Sequence, residues 1–300
     1  MPTRRYFLTA ATALLLSACG TLGFGSSSSS SAPPAGQTAK PRAVIGLALG
    51  GGASKGFAHI GVIKVLQENN IPVTVVTGTS AGAVVGSLYA SGMSADRLEL
   101  EAEVKQRADL VDLALSTSGF IRGEKLQTFI NRKVGNRTIE NFPRRFGAVA
   151  TEFDSGRNVV FSRGNPGQAV RASASIPNVF QPAVIGGKRY VDGGLTAPVP
   201  VSAARGLGAN VVIAVDISAK PARLTQSGFF AYLDQSLNIM STSALNSELA
   251  KADVVIKPQV QRLGAVGGFD ERAEAIRLGE EATRAALPKI RAALAAYRLQ

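Results

Sequence analysis

The sequence predicts an α/β fold in which a mostly parallel central sheet is covered by helices on both faces. Three observations lead to this prediction. Short apolar segments rich in β-branched residues alternate with longer segments of helical spacing. A glycine-rich loop, residues 50–56, follows the first predicted strand, and a Gly-x-Ser-x-Gly motif centred on Ser80 follows the second. In parallel sheets such loops lie together at the carboxyl ends of the strands.

The predicted elements follow one another without an internal repeat or a second-domain boundary. The predicted strands are residues 43–49, 73–79, 146–151, 158–161, 188–191, 210–216 and 252–256. The predicted helices are residues 57–69, 81–90, 96–107, 124–134, 168–175, 199–207 and 271–299.

Two features of the C-terminal third leave alternatives open. Phe229, Leu233, Leu237 and Met240 form a stripe at helical spacing, for which core packing is the default and a flap over an acyl groove is the alternative. The last helix contains Pro288, where it could break.

The segment around Ser80 has the layout of a nucleophile elbow. In such an elbow a strand turns sharply into a helix and leaves the serine hydroxyl exposed at the turn. Gly78 and Gly82 fit, because the backbones of strand and helix approach too closely there for larger side chains. Ala81 adds a backbone N–H next to the serine, where an oxyanion would form.

The glycine loop, residues 50–56, admits several interpretations. A dinucleotide loop needs a third glycine where Lys55 stands, and a phosphate loop needs a lysine where Phe57 follows Gly56. An oxyanion hole made of backbone N–H groups, with Gly51 and Gly52 as donors, is the interpretation that gains from the neighbouring elbow. A purely structural turn is the remaining alternative. We therefore expect no bound nucleotide.

Ser80 needs a general base, and His59 is the only histidine. In α/β-hydrolases the histidine comes last in the chain, whereas His59 precedes the serine and lies in the helix after the glycine loop. A helix residue held by local hydrogen bonds is the favoured interpretation of His59. The single histidine also excludes a multi-histidine metal site.

Three aspartates that follow predicted strands, Asp154, Asp192 and Asp216, are the acidic candidates for the base. Asp192 stands out because Gly193 and Gly194 allow the backbone to turn tightly and to approach another element. Asp216 is the structural alternative, at the end of a strand.

The chain of 300 residues is strongly basic, with a formal charge of +12. Without residues 1–18 it keeps 31 basic and 21 acidic residues, a charge of +10. A basic surface suits nucleic acid or anionic membrane. Because no cluster of Arg and Lys is interleaved with aromatic residues, we favour a membrane partner and expect no nucleic acid. The single cysteine excludes an internal disulfide.

Residues 1–18 have the layout of a signal peptide. Arg4 and Arg5 precede an apolar stretch that is too short to span a bilayer of about 30 Å. The stretch ends in Leu-Ser-Ala-Cys, which resembles a bacterial lipobox, so Cys19 is expected to carry the lipid. An ordinary signal peptide is the alternative. The arginine pair leaves twin-arginine and general secretory export open.

Residues 19–40 are expected to form a disordered tether after the lipidated cysteine. They include six consecutive serines and a Pro-Pro pair, and cannot bury enough apolar surface to fold. Gly20, next to the cysteine, is not an aspartate; by resemblance to Gram-negative lipoproteins, this implies an outer-membrane location facing the periplasm. Residues 41–300 would then form one folded domain.

Four blocks of sequence resemble the successive motifs of patatin-like phospholipases, in the bacterial branch related to neuropathy target esterase. They occur in the family's order over residues 43–216 and comprise residues 50–62, 78–82, 172–177 and 192–194. The resemblance implies a three-layer α/β/α sandwich, a Ser80–Asp192 dyad and hydrolysis of lipid acyl esters without metal or cofactor. Lys55 stands where arginine is usual in the family, and a lysine cannot make a bidentate contact.

The first hypothesis is therefore a membrane-tethered serine hydrolase of phospholipids, lysophospholipids or related lipid esters. Ser80 would attack the ester carbonyl and Asp192 would accept its proton. The N–H groups of Gly51, Gly52 and Ala81 would hold the oxyanion, and Gly50, Lys55, Gly56, Gly78, Gly82, Gly193 and Gly194 would support the motifs. The alternatives are a non-catalytic lipid-binding lipoprotein and an acyltransferase on the same scaffold. The sequence does not indicate the head group, the acyl chain or the oligomeric state.

Overall fold

The computed structural model describes residues 40–104, 121–218, 229–263 and 270–299. The signal peptide, Cys19 and the tether lie outside these residues, as does the end of the helix predicted at residues 96–107. For Phe229, Leu233 and Leu237 of the predicted apolar stripe, the structure describes the backbone but not the side chains.

The described residues form strands and helices in alternation. The strands are β1 (Ile45–Leu49), β2 (Val73–Thr79), β3 (Arg145–Glu152), β4 (Asn158–Phe161), β5 (Ala183–Ile185), β6 (Lys188–Asp192), β7 (Val211–Val215) and β8 (Val254–Ile256). The helices are α1 (Ala58–Glu68), α2 (Ala81–Ala90), α3 (Ala95–Val104), α4 (Glu124–Lys133), α5 (Pro166–Ser173), α6 (Val201–Gly206), α7 (Phe229–Leu249) and α8 (Arg272–Leu294).

All eight strands belong to one sheet, whose pairings run β5-β6-β3-β2-β1-β7-β8, with β4 joined to β3. The pairs around β1, β2 and β7 are parallel, and β3 pairs antiparallel with both β4 and β6. The mostly parallel central sheet is confirmed. Its parallel strands end together at the edge that carries the glycine loop and the elbow.

The strands β2 and β6 meet end to end along one edge of β3. Thr79, the last residue of β2, pairs with Val149, and Asp192, the last residue of β6, pairs with the next residue, Ala150. Strand β4 pairs with the same two residues of β3 and so occupies the opposite edge. This arrangement brings Ser80 and Asp192 together although 112 positions separate them in the sequence.

Helices cover the sheet on both faces, which confirms the three-layer α/β/α architecture. Along β1, Leu47 and Leu49 point into the larger apolar core, which contains side chains of α1, α2 and α8. Ala48 points to the opposite face, where it packs with Val201 and Ala204 of α6 and with the C-terminal part of α7. Both faces of the central strands are buried, as expected for parallel strands.

Two glycines allow α1 and α8 to cross closely. A Cβ atom at Gly61 would overlap the carbonyl oxygen of Ile276, and one at Gly279 would overlap the carbonyl oxygen of Ala58. Pro288 does not break α8, which continues to Leu294. The missing hydrogen bond at the proline is tolerated because Ile290 and Leu294, beyond it, are buried in the core.

Several element ends differ from the sequence-based predictions. The segment after the glycine loop begins as a short 3-10 turn, Ala53–Phe57, before α1 starts at Ala58. Helix α5 starts two residues earlier than predicted, because Asn165 accepts a hydrogen bond from Gln168 N–H and Pro166 suits the first helical turn. Strand β5 was not predicted. Within the described ranges, none of the helices combines the length and apolarity that crossing a bilayer requires.

Candidate active site

Ser80 lies at the tip of a sharp turn between β2 and α2. Its backbone has φ 53° and ψ −120°, a conformation that L-residues rarely adopt and that costs on the order of 1–3 kcal/mol. The glycines at the two ends of the motif permit the turn: a Cβ at Gly78 would overlap Gly82 O, and one at Gly82 would overlap Leu49 O. The local geometry is therefore that of the elbow predicted from the sequence.

Asp192 lies beside Ser80 at the end of β6, and both side chains are almost inaccessible, with 9% of Ser80 and 7% of Asp192 exposed. The carboxylate accepts a hydrogen bond from Gly194 N–H, at 2.7 Å. Burial raises the pKa of Asp192 to about 6, and the Gly194 N–H and the neighbouring Ser80 hydroxyl oppose the rise. Glycine is required at position 193, because the Cβ atom of any other residue there would overlap Val149 O.

Ser173 and Ser175, in the third of the four sequence blocks, hold both members of this pair. Ser173 Oγ accepts from the N–H of Ser80 at 2.9 Å and donates to Val149 O at 2.5 Å. The carbonyl of Ser175 accepts from the N–H of Asp192 at 2.9 Å. No role for these two serines was predicted from the sequence. The resemblance of residues 172–177 to a family motif was the available signal.

The segment after Asp192, residues 197–200, ties the three loops of the site together. Thr79 Oγ1 donates to Ala197 O at 2.8 Å, and Gly51 N–H donates to Pro198 O at 2.9 Å. Thr77 Oγ1 donates to Pro200 O at 2.9 Å. Two of these three acceptor residues are prolines, whose fixed φ limits movement of the segment. Sequence reasoning missed this segment because backbone acceptors leave no side-chain signature.

The glycine loop offers fewer free N–H groups than expected. Gly50 N–H donates to Val215 O at 3.0 Å and Gly51 N–H donates to Pro198 O at 2.9 Å. The N–H groups of Gly52 and Ala81 have no hydrogen-bond partner among the described residues, and both residues are partly exposed. Gly51 is thus engaged elsewhere in this structure, contrary to its expected role as an oxyanion donor. Gly52 and Ala81 remain available.

The remaining loop residues set the packing below the site. A Cβ at Gly50 would lie 2.8 Å from Val215 O, and one at Gly56 would lie 2.7 Å from Ala81 Cβ. Lys55 is buried in the 3-10 turn. These close approaches explain why glycine stands at both positions next to the elbow helix.

His59 is fully buried in the first turn of α1 and makes its hydrogen bond to the glycine loop, not to the carboxylate of Asp192. Its Nε2 lies 2.8 Å from Gly50 O, while Nδ1 has no hydrogen-bond partner. Burial lowers the pKa of His59 to about 4, so the ring is neutral near pH 7. This agrees with the interpretation of His59 as a helix residue held by a local hydrogen bond.

The other two candidate aspartates have partners other than the serine. Asp154 is half exposed and pairs with Arg189 at the surface. Asp216 accepts two hydrogen bonds from Ser218 and lies 3.7 Å from Lys257 Nζ. Within the described residues, no group of three or more His, Cys, Asp or Glu side chains could hold a metal ion.

The chain is similar to known proteins in both sequence and structure. The family model of the patatin-like phospholipases matches residues 47–205. An uncharacterised NTE family protein of Mycobacterium tuberculosis is 38% identical over 208 residues, which cover 67% of this chain and 57% of the relative. Lysophospholipase nte1 of Aspergillus fumigatus is 35% identical over 181 residues, 58% of this chain and 12% of the fungal protein.

These relatives are longer proteins, of which this chain spans little more than half in the mycobacterial case and a small part in the fungal one. Among solved structures, VipD from Legionella pneumophila has a TM-score of 0.56 at 16% identity, and the match covers 83% of this chain and 67% of VipD. At that identity the similarity supports the fold alone.

Proposed function

Because this chain belongs to the patatin-like phospholipase family, we propose that it is a serine hydrolase of acyl esters in phospholipids and lysophospholipids. The observation that carries the proposal is the meeting of a strained serine elbow with a buried carboxylate where β2 and β6 end next to each other. The name of the fungal relative, a lysophospholipase, supports lysophospholipid as a substrate class.

In the proposed reaction, Ser80 Oγ attacks the acyl carbon while its proton passes to the Asp192 carboxylate. The N–H groups of Gly52 and Ala81 donate to the oxyanion of the tetrahedral intermediate. When the intermediate collapses, the leaving alcohol takes the proton from Asp192 and the acyl group stays on Ser80. Water then attacks the acyl-enzyme, again giving a proton to Asp192, and the fatty acid leaves as that proton returns to Ser80.

An aspartate with an ordinary pKa is a weak base for a serine hydroxyl. The buried environment of Asp192 makes it a stronger base, since burial raises its pKa to about 6. At neutral pH the carboxylate is then ionised, and its pKa lies close to the ambient pH. General bases act well when their pKa is near the operating pH. No histidine is needed in this scheme.

We further propose that the protein is an exported bacterial lipoprotein anchored through Cys19, facing the periplasm from the outer membrane. The lipobox-like sequence and the polar tether of residues 19–40 support this proposal. The membrane that anchors the protein would then also contain its lipid substrate.

The test is hydrolysis of lysophosphatidylcholine and of mixed phospholipid vesicles by the full-length protein, with products identified by mass spectrometry. We expect free fatty acid from the wild type and a loss of several orders of magnitude in both Ser80→Ala and Asp192→Asn. The double variant should be little worse than either, because residues that act as a unit are not additive. Acyl groups that appear on another lipid would indicate an acyltransferase. Unreduced turnover in Ser80→Ala would refute the proposal.

A further inference from the structure

The imidazole of His59 makes one hydrogen bond, and that bond is to the glycine loop. Nε2 lies 2.8 Å from Gly50 O, and because a carbonyl only accepts, Nε2 must carry the ring proton. Nδ1 is buried without a partner. A histidine fully buried with an unfilled acceptor costs free energy, which makes a purely space-filling role an incomplete explanation.

The peptide group that joins Gly50 to Gly51 is fixed at both of its polar atoms. Its carbonyl oxygen accepts from His59, and its N–H donates to Pro198 O at 2.9 Å. Since a peptide group is planar, holding the oxygen on one side and the N–H on the other leaves it a single orientation. The preceding N–H, of Gly50, is likewise held by Val215 O at 3.0 Å.

The first unfixed peptide of the loop is the next one, whose N–H belongs to Gly52. That peptide lies close to the elbow, because a Cβ built at Gly51 would be 3.4 Å from Ser80 Cβ. Glycine residues have little intrinsic preference between backbone conformations, so a run of three requires an external restraint to stay in one. His59 and Pro198 provide that restraint.

We propose that His59 is a positioning residue of the oxyanion hole, whose Nε2–H holds the Gly50–Gly51 peptide so that Gly52 presents its N–H to the oxyanion. The inference rests on the proposed function. It assigns His59 no proton transfer, because the Nε2 proton is already committed to Gly50 and Nδ1 lies in the core away from solvent. Without this donor the peptide is free to rotate, and the oxyanion donor is no longer held in place.

The test compares His59→Leu, which keeps an apolar volume but has no donor, with His59→Gln, whose amide can donate to Gly50 O. Ile63→Ala, a buried truncation one turn along the same helix, controls for loss of α1 stability. For each full-length variant kcat and KM on a soluble monomeric ester are measured, together with the Ki of a trifluoromethyl ketone that forms an oxyanion on Ser80.

We expect His59→Leu to lower kcat by about ten- to a hundredfold. The upper value is the effect typical of losing one oxyanion donor completely. The ketone Ki should rise by the same factor while KM stays unchanged, because only transition-state binding is affected. His59→Gln should recover most of the activity, and Ile63→Ala should lower the melting temperature without lowering kcat. If His59→Leu does not fold, His59→Asn, whose amide is too short to reach Gly50, takes its place with the same expectation.

A folded His59→Leu with wild-type kcat and Ki would overturn the proposal. So would an equal kcat loss in Ile63→Ala, which would show a general packing effect, or a His59→Gln variant as inactive as Ser80→Ala, which would make His59 a base. An inactive wild type would count against the proposed function instead. In that case crystal structures of wild type and His59→Leu still decide: loss of the bond from Gly51 to Pro198 supports the restraint, and an unchanged peptide refutes it.

Discussion

The buried carboxylate of Asp192 links stability to pH in a direction opposite to that of most aspartates. Its pKa is raised from 3.8 to about 6 in the folded protein, so the folded state holds this proton more tightly than the unfolded chain. Its stabilising contribution is therefore full below pH 3.8 and is lost as the pH rises through about 6. The difference corresponds to about 3 kcal/mol.

Asp192→Asn is accordingly expected to stabilise the protein while abolishing activity. At pH 8 the free energy of unfolding should rise by roughly 1–3 kcal/mol, because a buried charge is removed, whereas at pH 4 it should not rise. Urea unfolding at both pH values measures the difference. His59, whose lowered pKa makes stability rise with pH between about 4 and 6.5, is present in both proteins and cancels. Equal effects at pH 4 and pH 8 would contradict the raised pKa.

Ser173 is expected to act on catalysis through the backbone of Ser80. In Ser173→Ala the N–H of Ser80 loses its only observed acceptor, so a buried donor is left unpaired at a cost of about 1–3 kcal/mol. We also expect kcat to fall roughly tenfold as the elbow loses its restraint. Ser175→Ala is the matched control, since this serine is also fully buried but its hydroxyl donates to Arg171 O of the preceding helix turn. Equal kcat values for the two variants would refute the role of Ser173.

Among the elements, the crossing of α1 and α8 is the most sensitive to a single methyl group. Gly279→Ala would drive Cβ into Ala58 O, and since two helix backbones must separate to relieve it, we expect a loss of roughly 1–3 kcal/mol. Gly206→Ala in α6 is the control, because its Cβ would meet nothing within 4 Å and a helical alanine stabilises by about 0.5–1 kcal/mol. Thermal unfolding of both variants measures the contrast. A Gly279→Ala variant as stable as wild type would show that the helices are not in close contact.

Elements with strong local signals were predictable from the sequence, and those fixed by tertiary contacts were not. The apolar runs that became β1, β2 and β7 have a periodicity and composition of their own. Strand β5 has only three residues and exists because β6 pairs with it. The engagement of Gly51 with Pro198 could not be foreseen either, because a backbone acceptor 147 positions away has no mark in the sequence.

The same division applies to the site. The sharp turns at Ser80 and Asp192 were predictable because glycine neighbours mark them, and the resemblance of four sequence blocks to one family led us to pair the two residues. The proximity of Ser80 and Asp192 results from the pairing of β2 and β6, end to end, with β3. The sequence alone does not indicate this pairing. The support given by Ser173 and by residues 197–200 likewise depends on the pairing of distant elements.

At the scale of the whole molecule, we expect Cys19 to be the membrane anchor. In a host that processes lipoproteins, Cys19→Ser should move the protein from the membrane fraction to the soluble fraction, because the lipid supplies most of the membrane affinity. Cell fractionation with immunoblotting measures the shift. A variant that remains firmly bound in high salt would refute the anchor, whereas binding that salt releases would instead indicate the basic surface.

Labelling of Ser80 by a fluorophosphonate, followed by intact-protein mass spectrometry across pH 4–9, tests the Ser80–Asp192 pair most directly. We predict one adduct on Ser80 in the wild type, with a rate that falls below about pH 6 as Asp192 takes up its proton. The adduct should be absent in Ser80→Ala and strongly slowed at every pH in Asp192→Asn, while His59→Gln should keep the wild-type profile. Unlabelled wild-type protein, or rapid labelling of Asp192→Asn with loss of labelling in His59→Gln, would contradict the serine–aspartate mechanism.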